Sequence, residues 1–138
     1  MNELSFQGVK VALINHGNVL TILRDNIPNI PYPNMWDLAG GGRENEESSY
    51  ETMRREVQEE LGIDIPESDV VWVKYYDSLT NPGKKSVFMV ADISDDQIKN
   101  IKFGEEGQGY QLVSFREFLE NKDAIEQLKN RLLDYLDK

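Results

Sequence analysis

Residues 41–63 read GGRENEESSYETMRREVQEELGI, and the fold turns on how this stretch is understood. Tyr50, Met53, Val57 and Leu61 recur at intervals of three, four and four, which draws one apolar stripe and predicts a helix over residues 48–61. Gly62 follows at once and supplies the expected C′ stop. At about 100° per residue, with Glu56 set at zero, Glu59 falls at about −60° and Glu60 at about +40°. Three carboxylates thus share one arc, and that arc borders the apolar stripe, whereas a solvated stripe would lie opposite the core. Like charges at i,i+3 and i,i+4 each cost a helix a few tenths of a kcal/mol, and Glu59 and Glu60 also sit at the negative end of the dipole. A hard divalent cation would remove that cost, because Mg²⁺ takes oxygen ligands and completes its shell with water and phosphate. On the helix alone, a charged solvent-facing surface remains the competing reading.

The glycine-rich entry to this helix, Ala39-Gly40-Gly41-Gly42, follows a short strand signal, Trp36-Asp37-Leu38, and its glycines allow positive φ and close backbone approach. Upstream, residues 9–14 and 19–23 are β-type runs around Asn15-His16-Gly17-Asn18, a hairpin pattern that puts His16 in a turn without a catalytic part. Between that hairpin and Trp36, three prolines among asparagines forbid a helix or a central strand, so residues 25–34 are expected to form an ordered loop near the site. Downstream, residues 70–76 and 86–93 are rich in β-branched and aromatic side chains and flank Asn81-Pro82-Gly83, a second hairpin candidate. Residues 109–114 read as a further strand. Residues 123–136 place Ile125, Leu128, Leu132 and Leu136 at helical spacing. Strands mixed with two helices in this order predict an α/β sandwich around a mixed sheet.

The whole chain narrows the chemistry. Its 138 residues fit a single domain, 1–138, and carry a net charge of −10. That acidity argues against a broad basic grip on a nucleic-acid polymer or an anionic membrane. With no cysteine and one histidine, disulfide frameworks, thiolate metal sites and multi-histidine zinc sites are excluded. No charged-then-apolar leader opens the chain and no stretch has the length of a membrane span, so a cytoplasmic protein is expected.

The spacing through residues 41–63 resembles a complete Nudix box. Gly41 is followed after five residues by Glu47 and after seven more by Arg55-Glu56, an aliphatic Val57, then Glu59-Glu60, Gly62 and Ile63. The resemblance extends loosely over residues 9–136, through the hairpin, Trp36-Asp37-Leu38, the Gly104-Glu105-Glu106-Gly107-Gln108 loop and the closing helix. It implies the Nudix fold, an α/β/α sandwich around a mixed β-sheet. It also implies hydrolysis of a phosphoanhydride bond in a nucleoside diphosphate linked to a group X, with Mg²⁺, or Mn²⁺ in its place, as cofactor. Carried over residue by residue, Glu56, Glu59 and Glu60 become metal-binding carboxylates and the Gly40 carbonyl a further ligand. Arg55 orients the glutamates, Glu47 forms the outer edge of the site, and Glu106 binds metal or acts as general base, with Glu105 as its competitor. Between a box glutamate and Glu106 the choice of base stays open. Two positions depart from the family's habit: Ala39 stands where proline is usual and Glu46 where glycine is common, and neither is a ligand position.

Substrate signals are thinner. Arg24 matches a residue often aimed at phosphate, and Asn121 lies where mutator-type members place a base-reading Asn or Asp. An exposed strand-end arginine and a helix-capping asparagine explain the two positions as well. Tyr32, Trp36 and Tyr110 are candidates for base stacking or for the core, and Lys84 and Lys85 for polyphosphate or a solvated tip. The expected substrates are nucleoside triphosphates, including oxidised or non-standard ones, cleaved to monophosphate and pyrophosphate. ADP-ribose or dinucleoside polyphosphate hydrolysis, and a non-catalytic nucleotide-sensing module, are the alternatives. A nucleotide-type small molecule is the expected partner, and the protein is expected as monomer or homodimer.

Overall fold

The apolar runs around the first tight turn form an antiparallel hairpin whose strands soon part. In the computed structural model, which describes residues 5–78 and 81–138, β1 spans Gly8–Asn15 and β2 spans Asn18–Leu23. Between them His16 and Gly17 both take positive φ, 48° and 80°, the backbone that a two-residue hairpin turn requires. The hairpin ladder holds Ile14 opposite Val19 and Asn15 opposite Asn18. Beyond that point β1 pairs with β4 (Ala39–Gly42), while β2 pairs with β3 (Trp36–Asp37) and β7 (Gly109–Ser114). On its other side β1 runs parallel to β6 (Lys85–Asp92), which pairs antiparallel with β5 (Val70–Asp77). Among the described residues the result is a seven-stranded mixed sheet with central order β3-β2-β1-β6-β5.

Both faces of β1 are covered, as its nearly unbroken apolar run demands. Val9, Val11 and Leu13 pack with Met53, Val57 and Leu61 of α1 (Ser49–Leu61), and Ala12 packs with Phe88, Leu128 and Leu132 on the opposite face, under α4 (Glu126–Leu136). The molecule is therefore a three-layer α/β/α sandwich. Ser48 caps α1 through a full capping box with Glu51, and Gly62, at φ 66°, ends it.

Three differences from the sequence reading have clear causes. The glycine run, read from the sequence only as a segment allowing positive φ and close backbone approach, is a strand, because its backbone completes the free side of β1 from Gly8 to Val11. Two short helices, α2 (Asp95–Lys99) and α3 (Phe115–Glu120), join the two expected ones; each is only five or six residues long and shows little periodicity. The last helix begins at Glu126 rather than at residue 123 because the preceding backbone is used elsewhere: Trp36 N–H donates to Asp123 O and Ile125 N–H to Trp36 O. The Asn81-Pro82-Gly83 turn is present, with Lys84 N–H donating to Asn81 O, while its approach at residues 79–80 lies outside the described residues.

Candidate active site

The parting of β1 from β2 opens a cavity of about 530 Å³ whose walls include Lys10, Arg24, Asp37, Gly40–Gly42, Glu56, Glu60 and Glu106. One wall is the carboxyl-terminal half of α1. Glu56 and Glu60, one turn apart, project against β4, and Gly41 is what admits Glu56: a Cβ there would lie 2.5 Å from the Glu56 carboxyl carbon. Glu60 Oε1 accepts the Gly40 N–H at 2.9 Å. Gly40 itself sits at φ 133°, and a Cβ there would lie 2.0 Å from Val9 O. Neither glycine can be replaced without moving something.

Burial separates the three helix carboxylates. Glu59 is 57% exposed at the side chain and Glu56 only 16%. Desolvation raises the Glu56 carboxyl against the lowering effect of Arg55. Glu60 is pushed up to about 7, also by desolvation, with only the Gly40 N–H and the more distant Lys10 opposing. A carboxyl is thus held near neutrality without a cation in hydrogen-bonding reach.

Arg55 gathers the rest. Its Nε donates to Glu47 Oε2 at 2.8 Å, its Nη1 reaches Glu56 Oε1 at 3.0 Å and Glu59 Oε1 at 3.3 Å, and its Nη2 donates to Gly42 O at 2.8 Å. Glu44 Oε2 also lies 2.8 Å from Nη1. Glu47 further accepts from Glu44 N–H and Thr52 Oγ1, and its carboxyl is held down at about 2, chiefly by the Arg55 hydrogen bond. Glu47 is therefore occupied as the anchor of Arg55 rather than presented outward. Arg55 in turn is raised further, by Glu47 first.

Across the cavity stands a cationic cluster to which the sequence reading gave only one of its three residues. The buried Asp37 Oδ2 accepts from Lys10 Nζ and from Arg24 Nη1, both at 2.9 Å, while its Oδ1 accepts the Leu38 N–H. Two cations on one carboxylate leave an excess positive charge facing the glutamates. Arg24 Nε is also tied to Pro31 O, so the proline loop does border the site. Lys10 carried a signal: it is the lone charge in the apolar run of residues 9–14.

Glu106 reaches the rim of the same cavity on a loop fastened at both ends, by Gly104 N–H to Glu60 O and by Gln108 N–H to Leu23 O. Glu105 and Glu106 are both exposed, and only Glu106 lines the cavity. Asn121 is not brought here. It closes α3, its Oδ1 accepts the Asp123 N–H, and it borders a separate hollow with Thr21 and Trp36. Tyr110 stacks on Phe103 at 5.7 Å.

Among the described residues no three His, Cys, Asp or Glu side chains converge on one point as they stand. Arg55 draws Glu47, Glu56 and Glu59 toward itself, and Gly40 holds Glu60. The donor chemistry nevertheless fits a hard divalent cation: carboxylate and carbonyl oxygens only, with one half-buried, desolvated carboxyl lacking a counter-ion among the described residues.

A three-layer α/β protein with an acid-bearing helix packed on a glycine strand is defined by these features. The sequence model of the NUDIX domain matches residues 5–136, and the chain belongs to that family. It is similar to the nucleoside triphosphatase NudI of Escherichia coli O139:H28, 32% identical over 86 residues, which is 57% of this chain and 61% of that protein. The match therefore spans about three fifths of that curated relative's length. Among solved structures it resembles the MutT protein from Methanosarcina mazei Go1, with TM-score 0.70 and 25% identity over 100% of this chain and 99% of that one. A bifunctional NMN adenylyltransferase/ADP ribose pyrophosphatase from Francisella tularensis, complexed with AMP and a manganese ion, shares the fold. Its TM-score is 0.72 and its identity 18%, over 99% of this chain and 42% of that one. No helix among the described residues is long and apolar enough to cross a membrane.

Proposed function

We propose that the chain is a single-domain Mg²⁺-dependent pyrophosphohydrolase of nucleoside diphosphate-X compounds, with nucleoside triphosphates cleaved to monophosphate and pyrophosphate. The observation that carries this reading is the pairing, across one cavity, of Glu56 and Glu60 with the Lys10–Asp37–Arg24 cluster. Carboxylates alone would repel a polyphosphate, and the cations alone would bind it without cleaving it. Together they provide one wall for a metal and another for phosphate oxygens.

Glu56, Glu59, Glu60 and the Gly40 carbonyl would hold the ion, and a bound Mg²⁺ or Mn²⁺ would neutralise phosphate charge and acidify a water. Arg55 would orient the ligating glutamates from its anchorage on Glu47, and Lys10 and Arg24 would place the phosphate chain. Glu60 belongs with the ligands, since a desolvated carboxyl without a counter-ion gains most from a cation. Glu106, exposed at the rim of the cavity, would receive the proton of the attacking water. Similarity to NudI supports triphosphates over ADP-ribose or dinucleoside polyphosphates.

The test is a screen of nucleoside triphosphates, ADP-ribose and dinucleoside polyphosphates with Mg²⁺, reading pyrophosphate against phosphate release. Pyrophosphate from a triphosphate, lost in Glu59→Gln with the fold retained, is the expected result. Turnover of ADP-ribose or a dinucleoside polyphosphate alone would replace the substrate class. No turnover of any compound would leave a nucleotide-sensing module in place of a hydrolase.

A further inference from the structure

Beside the acidic cavity, and sharing the Lys10, Arg24 and Asp37 wall, lies a second cavity of about 490 Å³ between the sheet and α4. Its size is that of a small-molecule site, and its lining is apolar where Tyr32, Ile125 and Leu128 contribute. On the α4 side a charged residue joins that apolar part of the lining. Arg131, on α4, is only 5% exposed, yet no carboxylate lies within ion-pair distance of it among the described residues.

Its guanidinium is held in place by neutral groups: Nη1 donates to Ser86 Oγ at 3.3 Å, Nη2 to Asp77 O at 3.1 Å, and the plane sits 4.6 Å from the centre of the Tyr76 ring. These contacts use two of its five N–H donors. Burying a guanidinium is costly unless it is paired, and an acidic chain of net charge −10 has carboxylates to spare for pairing it. Leaving it without one, fixed by neutral partners in the wall of an apolar cavity, is the arrangement of a reader and not of a strut.

We propose that Arg131 selects the nucleobase of the substrate, taking the side-by-side acceptors O6 and N7 of a 6-oxopurine in this cavity and discriminating against a 6-aminopurine. The inference rests on the reading of the chain as a nucleotide hydrolase, and adds to it the class of base. A planar donor fork matches two adjacent acceptors on a ring edge, whereas the 6-amino group of adenine would set N–H against N–H. The apolar walls would receive the faces of the ring, and the shared cationic wall would lead from the base to the phosphate chain.

Equilibrium binding of inosine and adenosine monophosphates to the metal-free protein, by calorimetry, tests this without requiring turnover. The two differ at the 6 position, and the wild type should bind the inosine form about tenfold more tightly or better. Arg131→Met, which keeps most of the apolar stem, should bring the two affinities together by weakening the inosine form. Arg131→Lys, which keeps charge and packing but loses the fork, should narrow the ratio as well and serves if the methionine variant does not fold. Equal affinities in the wild type, preference for the adenine form, no binding of either, or a ratio unchanged in both variants would overturn the proposal. Selective binding of the inosine form by a protein that hydrolyses no triphosphate would overturn the hydrolase reading alone. Triphosphate hydrolysis without selection at the 6 position would overturn this inference alone.

Discussion

At Glu60 a carboxyl that folds into the protein is harder to ionise than the same group in the unfolded chain. Its ordinary value is 4.5 and the folded environment lifts it to about 7. The folded state therefore holds this proton more tightly. Its contribution favours folding most below pH 4.5, declines as pH rises from 4.5 to 7, and is fully lost above. The decline is at most about 3 kcal/mol, at 1.36 kcal/mol per unit. Two outcomes follow, one for the metal-free protein and one with the ion present. Glu60→Gln should be more stable than the wild type at pH 8 by about 1–3 kcal/mol and equal to it at pH 4.5, as measured by urea unfolding, while losing Mg²⁺-dependent turnover. A variant less stable at pH 8 would remove the desolvation argument. Glu47 has the opposite sign: its carboxyl is depressed to about 2, so its contribution is present above pH 4.5 and lost as pH falls toward 2. Because Glu47 anchors Arg55, Glu47→Gln should cost activity tenfold or more through a lower kcat with KM little changed, an effect read in steady-state kinetics.

Among the elements, β4 carries the most consequence for its length. Gly40 and Gly41 are adjacent, yet alanine at the two should fail differently. A Cβ at Gly40 would meet the backbone oxygen of Val9 at 2.0 Å and sit on a φ of 133°, so Gly40→Ala should break the β1–β4 ladder and destabilise the fold by several kcal/mol. The nearest atoms a Cβ at Gly41 would meet belong to the end of the Glu56 side chain, which can turn away. Gly41→Ala should keep its melting temperature within a few degrees and lose Mg²⁺-dependent turnover; a thermal melt beside an activity assay separates the two outcomes. The helix facing β4 was legible in advance, because a 3.6-residue period and a C′ glycine mark residues 48–62. The strand character of β4 was not, since glycine has the poorest strand preference and only its partner β1 makes this segment extended. The short helices α2 and α3 did leave a trace: Ser94 with Gln97 and Ser114 with Glu117 are both capping boxes, although five or six residues are too few to draw a stripe. Lys10 lies in β1, Asp37 in β3 and Arg24 just past the end of β2, so that their meeting depends on the sheet's pairing order, which residue spacing does not encode.

Over the whole molecule, the acidity noted at the outset is concentrated where it acts. Residues 41–63 hold seven acids against three arginines, a net −4 of the chain's −10. A divalent cation bound there should stabilise the folded protein in proportion to the unbalanced charge it finds. Millimolar Mg²⁺ is expected to raise the melting temperature at pH 8 and to have much less effect at pH 5, where Glu60 is protonated; a shift of equal size at both values would place the ion elsewhere. The parallel pairing of β1 with β6 bears on something different, the order of assembly. Val9 faces Val87 in that ladder, and the whole of α1 lies in the intervening chain. Closing so long a loop is slow compared with forming a helix or the β1–β2 hairpin, so the helix forms before it has its final bed. Val87 and Met89 of β6 belong to that bed, so the acidic face of α1 is seated only when the last central strand arrives. In refolding, catalytic competence should then emerge together with the slowest sheet-forming phase and never ahead of it, which makes the appearance of activity a clock for the completion of the sheet.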